Sequence, residues 1–251
     1  MAVDITRESI ISTLTDGLRG NPSVHALWLE GADAHGLADE YSDIDLWLDV
    51  EDGSEDDVLR SIRDIASAIG PVDYECGGDN PDPQIRQAFL HIAGTPEFWI
   101  LDICVQSHSR QIAFTKGFSD EKVRVLFDRC GVIRYADADW PALREAQKRR
   151  SEELAAAIPR ARTLLRKELR RGNFLQALHC YHEGLLKPLV ELLRIRHQPT
   201  KQGFYLKHID RDLPEDIVAL LENLYVVSSL EDICTKSQKA DTILKELTEG
   251  T

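Results

Sequence analysis

Between Val24 and Val50, two apolar runs of strand length flank a glycine and a polar loop, and this arrangement constrains the chain more than any other stretch. The first run, Leu27-Trp28-Leu29-Glu30, ends at Gly31-Ala32, and a loop follows over 31–42. The second run, 43–50, alternates as Asp43-Ile44-Asp45-Leu46-Trp47-Leu48. Successive strand side chains point to opposite faces. The alternation therefore predicts Asp43, Asp45 and Trp47 on one face, with Ile44, Leu46 and Leu48 turned into a core. Two carboxylates on one strand face repel each other and are costly to desolvate. A divalent cation removes that cost, and hard oxygen donors suit Mg²⁺. Asp102 is the only charge in Phe98-Trp99-Ile100-Leu101-Asp102-Ile103-Cys104-Val105. A lone Asp in a core-like strand needs a partner or a cation, and a neighbouring strand would set it beside Asp43 and Asp45.

The rest of the first half interleaves helices and strands. Residues 5–19 carry Ile5, Ile10, Ile11, Leu14 and Leu18 at helical spacing, and 55–69 carry Val58, Ile62, Ile65 and Ile69 likewise. Residues 76–83 read as a loop on turn chemistry. Gln87–Ala93 and Phe98–Gln106 read as strands of a hairpin around Gly94-Thr95-Pro96-Glu97, and Val132–Tyr135 as a short strand. The expectation is an α/β domain with a mixed sheet over residues 1–141. After Trp140-Pro141 no strand pattern recurs. Helices are expected over 142–171, bent at Pro159, over 174–197, from Pro214 onward, and over 229–247 with Ser229 as cap. An all-α helical bundle over 142–251 is the reading.

Charge divides along the same line. Residues 1–141 hold 27 acids and 11 Lys/Arg; residues 142–251 hold 16 acids and 19 Lys/Arg. A chain of net charge −13 is a poor generic nucleic-acid binder, because phosphate contacts need clustered Lys/Arg. The acidic run Asp49 to Asp57 reads as solvated surface. The five cysteines, Cys76, Cys104, Cys130, Cys180 and Cys234, are scattered and form no CxxC pair. Reduced thiols in a cytoplasmic protein are expected, not a zinc site or disulfide framework. No apolar run approaches membrane-spanning length, and Met1 to Glu8 show no signal-peptide pattern.

Gly31-Ala32, ten intervening residues, Asp43-Ile44-Asp45 and the later Asp102 together resemble the signature of the nucleotidyltransferase superfamily of DNA polymerase β. With Gly36 and Ser42-Asp43-Ile44-Asp45-Leu46, the wording looks most like the small antibiotic nucleotidyltransferases of aminoglycoside and lincosamide type. The resemblance spans about residues 24 to 106 and implies several things. Asp43, Asp45 and Asp102 would hold two Mg²⁺ ions. Gly31 and the Ala32 amide would approach the phosphates of ATP or another nucleoside triphosphate. The family usually has Ser where this chain has Ala32, so the amide remains and a hydroxyl is lost. Ser42 would assist or cap the loop.

In the second half, Glu183 is a candidate general base for an acceptor hydroxyl, weighed about evenly against a plain helix-surface carboxylate. Lys201 is a candidate triphosphate ligand, against the alternative that the Lys/Arg there complement a helix dipole. The resemblance implies transfer of a nucleoside monophosphate, AMP from ATP, to a hydroxyl of a small molecule. A protein or tRNA acceptor, and a non-catalytic nucleotide-binding module, stay open. The partners expected are a nucleotide and a small-molecule acceptor, with monomer and homodimer both open.

Overall fold

A computed structural model of the protein describes residues 5–249. Of the residues read for a leader, Met1 to Glu8, the first four lie outside the described residues, as do the last two of the chain. The chain divides between Ala138 and Asp139 into two compact units. The first is α/β and the second is helical. The division falls three residues before the expected one. Asp139 caps a helix, its Oδ1 accepting from the Ala142 amide at 2.9 Å. Trp140-Pro141 then sit in that helix's first turn, where a proline's missing N–H costs nothing.

The first unit is built on β1 (Val24–Leu29), β2 (Ile44–Val50), β3 (Val72–Gly77), β4 (Ile85–Ile92), β5 (Leu101–Ser107), β6 (Phe114–Thr115), β7 (Arg124–Asp128) and β8 (Tyr135–Ala136). Six strands form one sheet in the order β3-β4-β5-β2-β1-β7, and β6 pairs with β8 separately. The β2–β5 pair is parallel and the other pairs of the large sheet are antiparallel, so the sheet is mixed. Helices α1 (Arg7–Arg19) and α3 (Glu55–Ile69) cover one face. Ile10, Leu14 and Leu18 from α1, and Val58, Ile62 and Ala66 from α3, pack on Leu27, Leu29, Leu46, Leu48, Ile103 and Val105. Those strand residues alternate, as a sheet buried mainly on one face requires. The opposite face carries Ala26 and Trp28, backed by Val132 and Phe114.

The second unit contains α4 (Trp140–Arg171), α5 (Phe174–Tyr181), α6 (Lys187–His197), α7 (Ile209–Asp212), α8 (Glu215–Tyr225) and α9 (Leu230–Glu249). Leu154, Ile158, Tyr181, Leu185, Leu189, Leu193, Leu224, Ile233 and Leu244 are among its buried core. Helices α5 and α6 are joined by one π-helical turn, His182–Leu186. Pro188 explains it. Its ring crowds the carbonyl of Gly184 and it has no N–H to bond there, so the chain opens by one residue and the Lys187 N–H reaches the His182 carbonyl. Gly184 faces Ala161, where an added Cβ would approach to 2.9 Å.

Several sequence expectations need correction. Asp43 lies one residue ahead of β2, so strand alternation places Asp45 but not Asp43. The loop 31–42 contains a short helix, α2 (Gly31–His35), closed by Gly36 in the left-handed conformation. The loop expected over 76–83 begins inside β3, an edge strand whose polar, largely exposed residues hide its pattern. The short strand is Tyr135–Ala136 and excludes Val132 to Arg134, because pairing with Phe114–Thr115 fixes its register. The single helix over 174–197 is two helices and the π turn. Asp49 is not solvated surface; it is 1% exposed.

Candidate active site

Parallel pairing of β2 with β5 sets Asp45 directly opposite Asp102. Both are half-buried, and the same register sets Trp47 opposite Cys104 and Asp49 opposite Gln106. Side chains directly opposite in a sheet share a face, so the two carboxylates stand side by side on the face away from α1 and α3. Asp102 is oriented from the next strand: the Gln87 Nε2 donates to its Oδ1 at 2.7 Å.

Gly31 follows the end of β1 and closes over Asp45. Its φ is +57°, a conformation that L side chains rarely adopt, and a Cβ there would lie 1.9 Å from the Asp45 Oδ2. Backbone and carboxylate therefore touch only because residue 31 is glycine. Ala32 sits within the first turn of α2.

The lead into β2 is held from α1. Arg7 Nε donates to the Asp33 Oδ1 at 2.9 Å, Nη1 to the Ser42 carbonyl at 2.6 Å, and Nη2 to the Asp43 carbonyl. Asp33 is buried as Arg7's partner. Asp43 itself is exposed. Ser42 caps its own loop: its Oγ donates to the Asp39 Oδ1 at 2.7 Å and accepts from the Asp39 amide.

Beside the Asp45–Asp102 pair lies a cavity of about 400 Å³, lined by Trp28, Glu30, Trp47, Arg110, Phe114 and Glu121 among others. Trp28 and Trp47 stack with ring centroids 6.1 Å apart. Glu30 is the residue that sequence reasoning missed. Burial pushes its carboxyl above the usual range, against a hydrogen bond from the Trp28 Nε1 at 2.9 Å and the charge of Arg110, and the charges of Glu121 and Asp102 raise it further. A Glu at the end of a strand reads as surface, and only its place next to Gly31 could have drawn notice. Cys104 stands among the same acids: burial first, then Asp102, Glu30 and Asp45, push its thiol up to about 12.

Glu183 and Lys201 belong to the other unit. Glu183 is exposed in the π turn and accepts from the Lys187 Nζ at 3.0 Å, which holds its carboxyl below the usual range. Lys201 donates to the Asp212 Oδ1 at 2.6 Å, so its charge is engaged within its own unit.

No family model matches the sequence. No curated protein matches it either. Solved structures similar to this chain include an aminoglycoside 6-adenyltransferase from Bacillus subtilis, with a TM-score of 0.40 and 14% identity over 98% of this chain and 89% of that one. Another is JHP933 from Helicobacter pylori, with a TM-score of 0.30 and 10% identity over 97% of this chain and 92% of that one. Among the described residues no helix is long and apolar enough to cross a membrane.

Proposed function

We propose that the chain is a metal-dependent nucleotidyltransferase that moves a nucleoside monophosphate, AMP from ATP, onto a hydroxyl of a small molecule. The observation that carries this reading is the register of Asp45 with Asp102 on adjacent parallel strands, with Gly31 closed on the Asp45 carboxylate. The donor set fits Mg²⁺: two carboxylates in one plane of a sheet offer hard oxygens, and Asp43 stands just upstream to add a third. Asp43, Asp45 and Asp102 would hold the metal. When bound, it would supply charge neutralisation for the triphosphate and a more acidic acceptor hydroxyl.

The chain's own residues do the positioning. Gln87 fixes the rotation of the Asp102 carboxylate. Arg7 fixes the backbone at Ser42 and Asp43. Gly31 lets backbone approach the reacting phosphates without a side chain in the way, and the Ala32 amide is the donor beside it. In phosphoryl and nucleotidyl transfer, such placement and charge compensation supply most of the rate. Glu30 and Glu121 line the neighbouring cavity with the two tryptophans. Acids and aromatic faces in one recess suit an acceptor bearing amino groups, and an aminoglycoside or lincosamide fits that chemistry.

The deciding experiment is pyrophosphate release from Mg·ATP against a panel of aminoglycosides and lincosamides. Release dependent on both Mg²⁺ and one acceptor is expected. Absence of release with every acceptor, together with no Mg-dependent ATP binding by calorimetry, would overturn the proposal. A second outcome is expected of Gly31→Ala. The new methyl meets the Asp45 carboxylate and an unfavourable φ, so the carboxylate must shift by an ångström or so. A displacement of that size lowers kcat/KM by about 100-fold. Circular dichroism should show the fold retained; a wild-type rate would remove Gly31 from the site.

A further inference from the structure

A second cluster lies toward the other end of the same strand, four residues from Asp45 and so about 13 Å along β2. We propose that His25, Asp49 and His108 form a binding site for one zinc-class divalent ion, distinct from the carboxylates of the transfer site. Among the described residues, these three place a ligand atom each within 4.8 Å of one another. The inference does not rest on the nucleotidyltransferase reading.

The strand order β5-β2-β1 brings the three together. Asp49 is on β2, His108 immediately follows β5, and His25 is on β1. Pairing of β1 with β2 slips between Val24 and Ala26, leaving His25 as the extra residue of a bulge. A bulge re-aims a side chain, and here the His25 imidazole meets Asp49. Both Nδ1 atoms converge on one oxygen: His25 at 3.3 Å and His108 at 2.6 Å from the Asp49 Oδ1. The two rings meet edge to face, 4.4 Å apart.

The carboxylate is built in rather than resting on the surface. Asp49 is 1% exposed, and its Oδ2 accepts from the Nε2 of the fully buried Gln106 at 2.8 Å. Gln106 is fixed in turn by Arg110, whose Nη1 donates to the Gln106 Oε1 at 2.6 Å. Such an outer shell orients the ligating oxygen and leaves Oδ1 for the ion.

The donors choose the ion. Two imidazole nitrogens and one carboxylate oxygen are the borderline set that zinc and its neighbours prefer, whereas Mg²⁺ prefers oxygen alone. Ligand atoms about 2.0–2.1 Å from a tetrahedral ion stand roughly 3.3 Å apart. The His25–Asp49 separation already matches. His108 must withdraw by about 0.7 Å to the same spacing, and its side chain, 46% exposed beyond the strand end, has room to do so. Each imidazole would carry its proton on Nε2 and present Nδ1 to the ion. Three protein ligands leave a fourth position, on the exposed side by His108, for water or an incoming ligand.

The test uses the full chain, free of any histidine tag and stripped with chelator, titrated with Zn²⁺ by calorimetry and with Co²⁺ by visible absorption. One ion per chain is expected, with the intense d–d bands of a four-coordinate Co²⁺ site. His108→Ala should weaken binding at least about a hundredfold, and His25→Ala likewise. Asp45→Asn should leave stoichiometry and affinity unchanged. Because the His108 side chain is half-exposed, its variant should fold and decides the matter if His25→Ala does not. No stoichiometric binding by the wild-type chain, equal affinity in His108→Ala, or loss of the ion in Asp45→Asn would each overturn the proposal.

Discussion

Asp45→Asn and Asp102→Asn should each lower nucleotidyl transfer by about a thousandfold, equivalent to roughly 4 kcal/mol of transition-state stabilisation, while leaving the fold in place. Asparagine has nearly the shape of aspartate, so the close approach of Gly31 survives in the first variant. In the second, the amide oxygen of the introduced asparagine can still accept from Gln87. What each variant loses is a negative charge at the point where the metal must be held. Mg-dependent ATP binding should weaken in parallel while the melting temperature stays near wild type, which separates loss of the metal from simple misfolding. The measurement is pyrophosphate release under saturating Mg·ATP, with melting temperatures recorded beside it. A wild-type rate from either variant would sink the metal-site assignment. Asp43→Asn tests a different point. Its residue precedes the strand and is exposed, and Arg7 holds its carbonyl. An effect of similar size would show that its carboxylate joins the pair when metal is present.

What the sequence revealed and what it hid follow from the range of the interactions. Alternation in Ile44 to Leu48 and the single charge in Phe98 to Val105 are local signals, and both strands lie where those signals put them, within a few residues. The direct opposition of Asp45 and Asp102 depends on a parallel pair whose strands are 57 residues apart, and no local pattern encodes that register. Asp43 was misplaced by one residue, because a strand end is set by pairing and not by composition. Asp49 was the avoidable miss. It continues the Asp45-Trp47 alternation on the same face, and the acid-rich run after it drew it wrongly into solvent. His25 and His108 offered no spacing to read, since a bulge and a strand end from opposite sides of β2 bring them together. In the helical unit, the apolar periodicity of 174–197 reads as one helix and hides the π turn ahead of Pro188, where the Lys187 N–H reaches the His182 carbonyl.

The second large effect lies in the helical unit, away from any proposed chemistry. Arg194→Met should destabilise that unit by about 3–5 kcal/mol. Arg194 is fully buried on α6. Its guanidinium donates to the Tyr205 carbonyl at 2.6 Å, the Lys207 carbonyl at 2.6 Å and the Asp212 carboxylate at 3.0 Å. Those acceptors lie between α6 and α8, Asp212 in α7 and the two carbonyls in the turn before it, where Tyr205 and His208 hold positive φ angles without being glycine. Between a 3-10 helix over 199–204 and α7, the one side chain satisfies the Tyr205 and Lys207 carbonyls. Methionine fills the volume and donates nothing. Asp212 would keep Lys201 as a cationic partner, and the part-buried Tyr205 and Lys207 carbonyls would lose this donor. Lysine in place of arginine should rescue little, because a single ammonium cannot span three acceptors in the plane of the guanidinium fork. Differential scanning calorimetry should show the melting temperature of Arg194→Met lowered by roughly 10 °C or more. Pyrophosphate release by the protein still folded at low temperature should keep its Mg²⁺ dependence, since Asp45 and Asp102 are untouched. A melting temperature within about 2 °C of wild type would mean that the 198–208 segment holds its shape without the arginine.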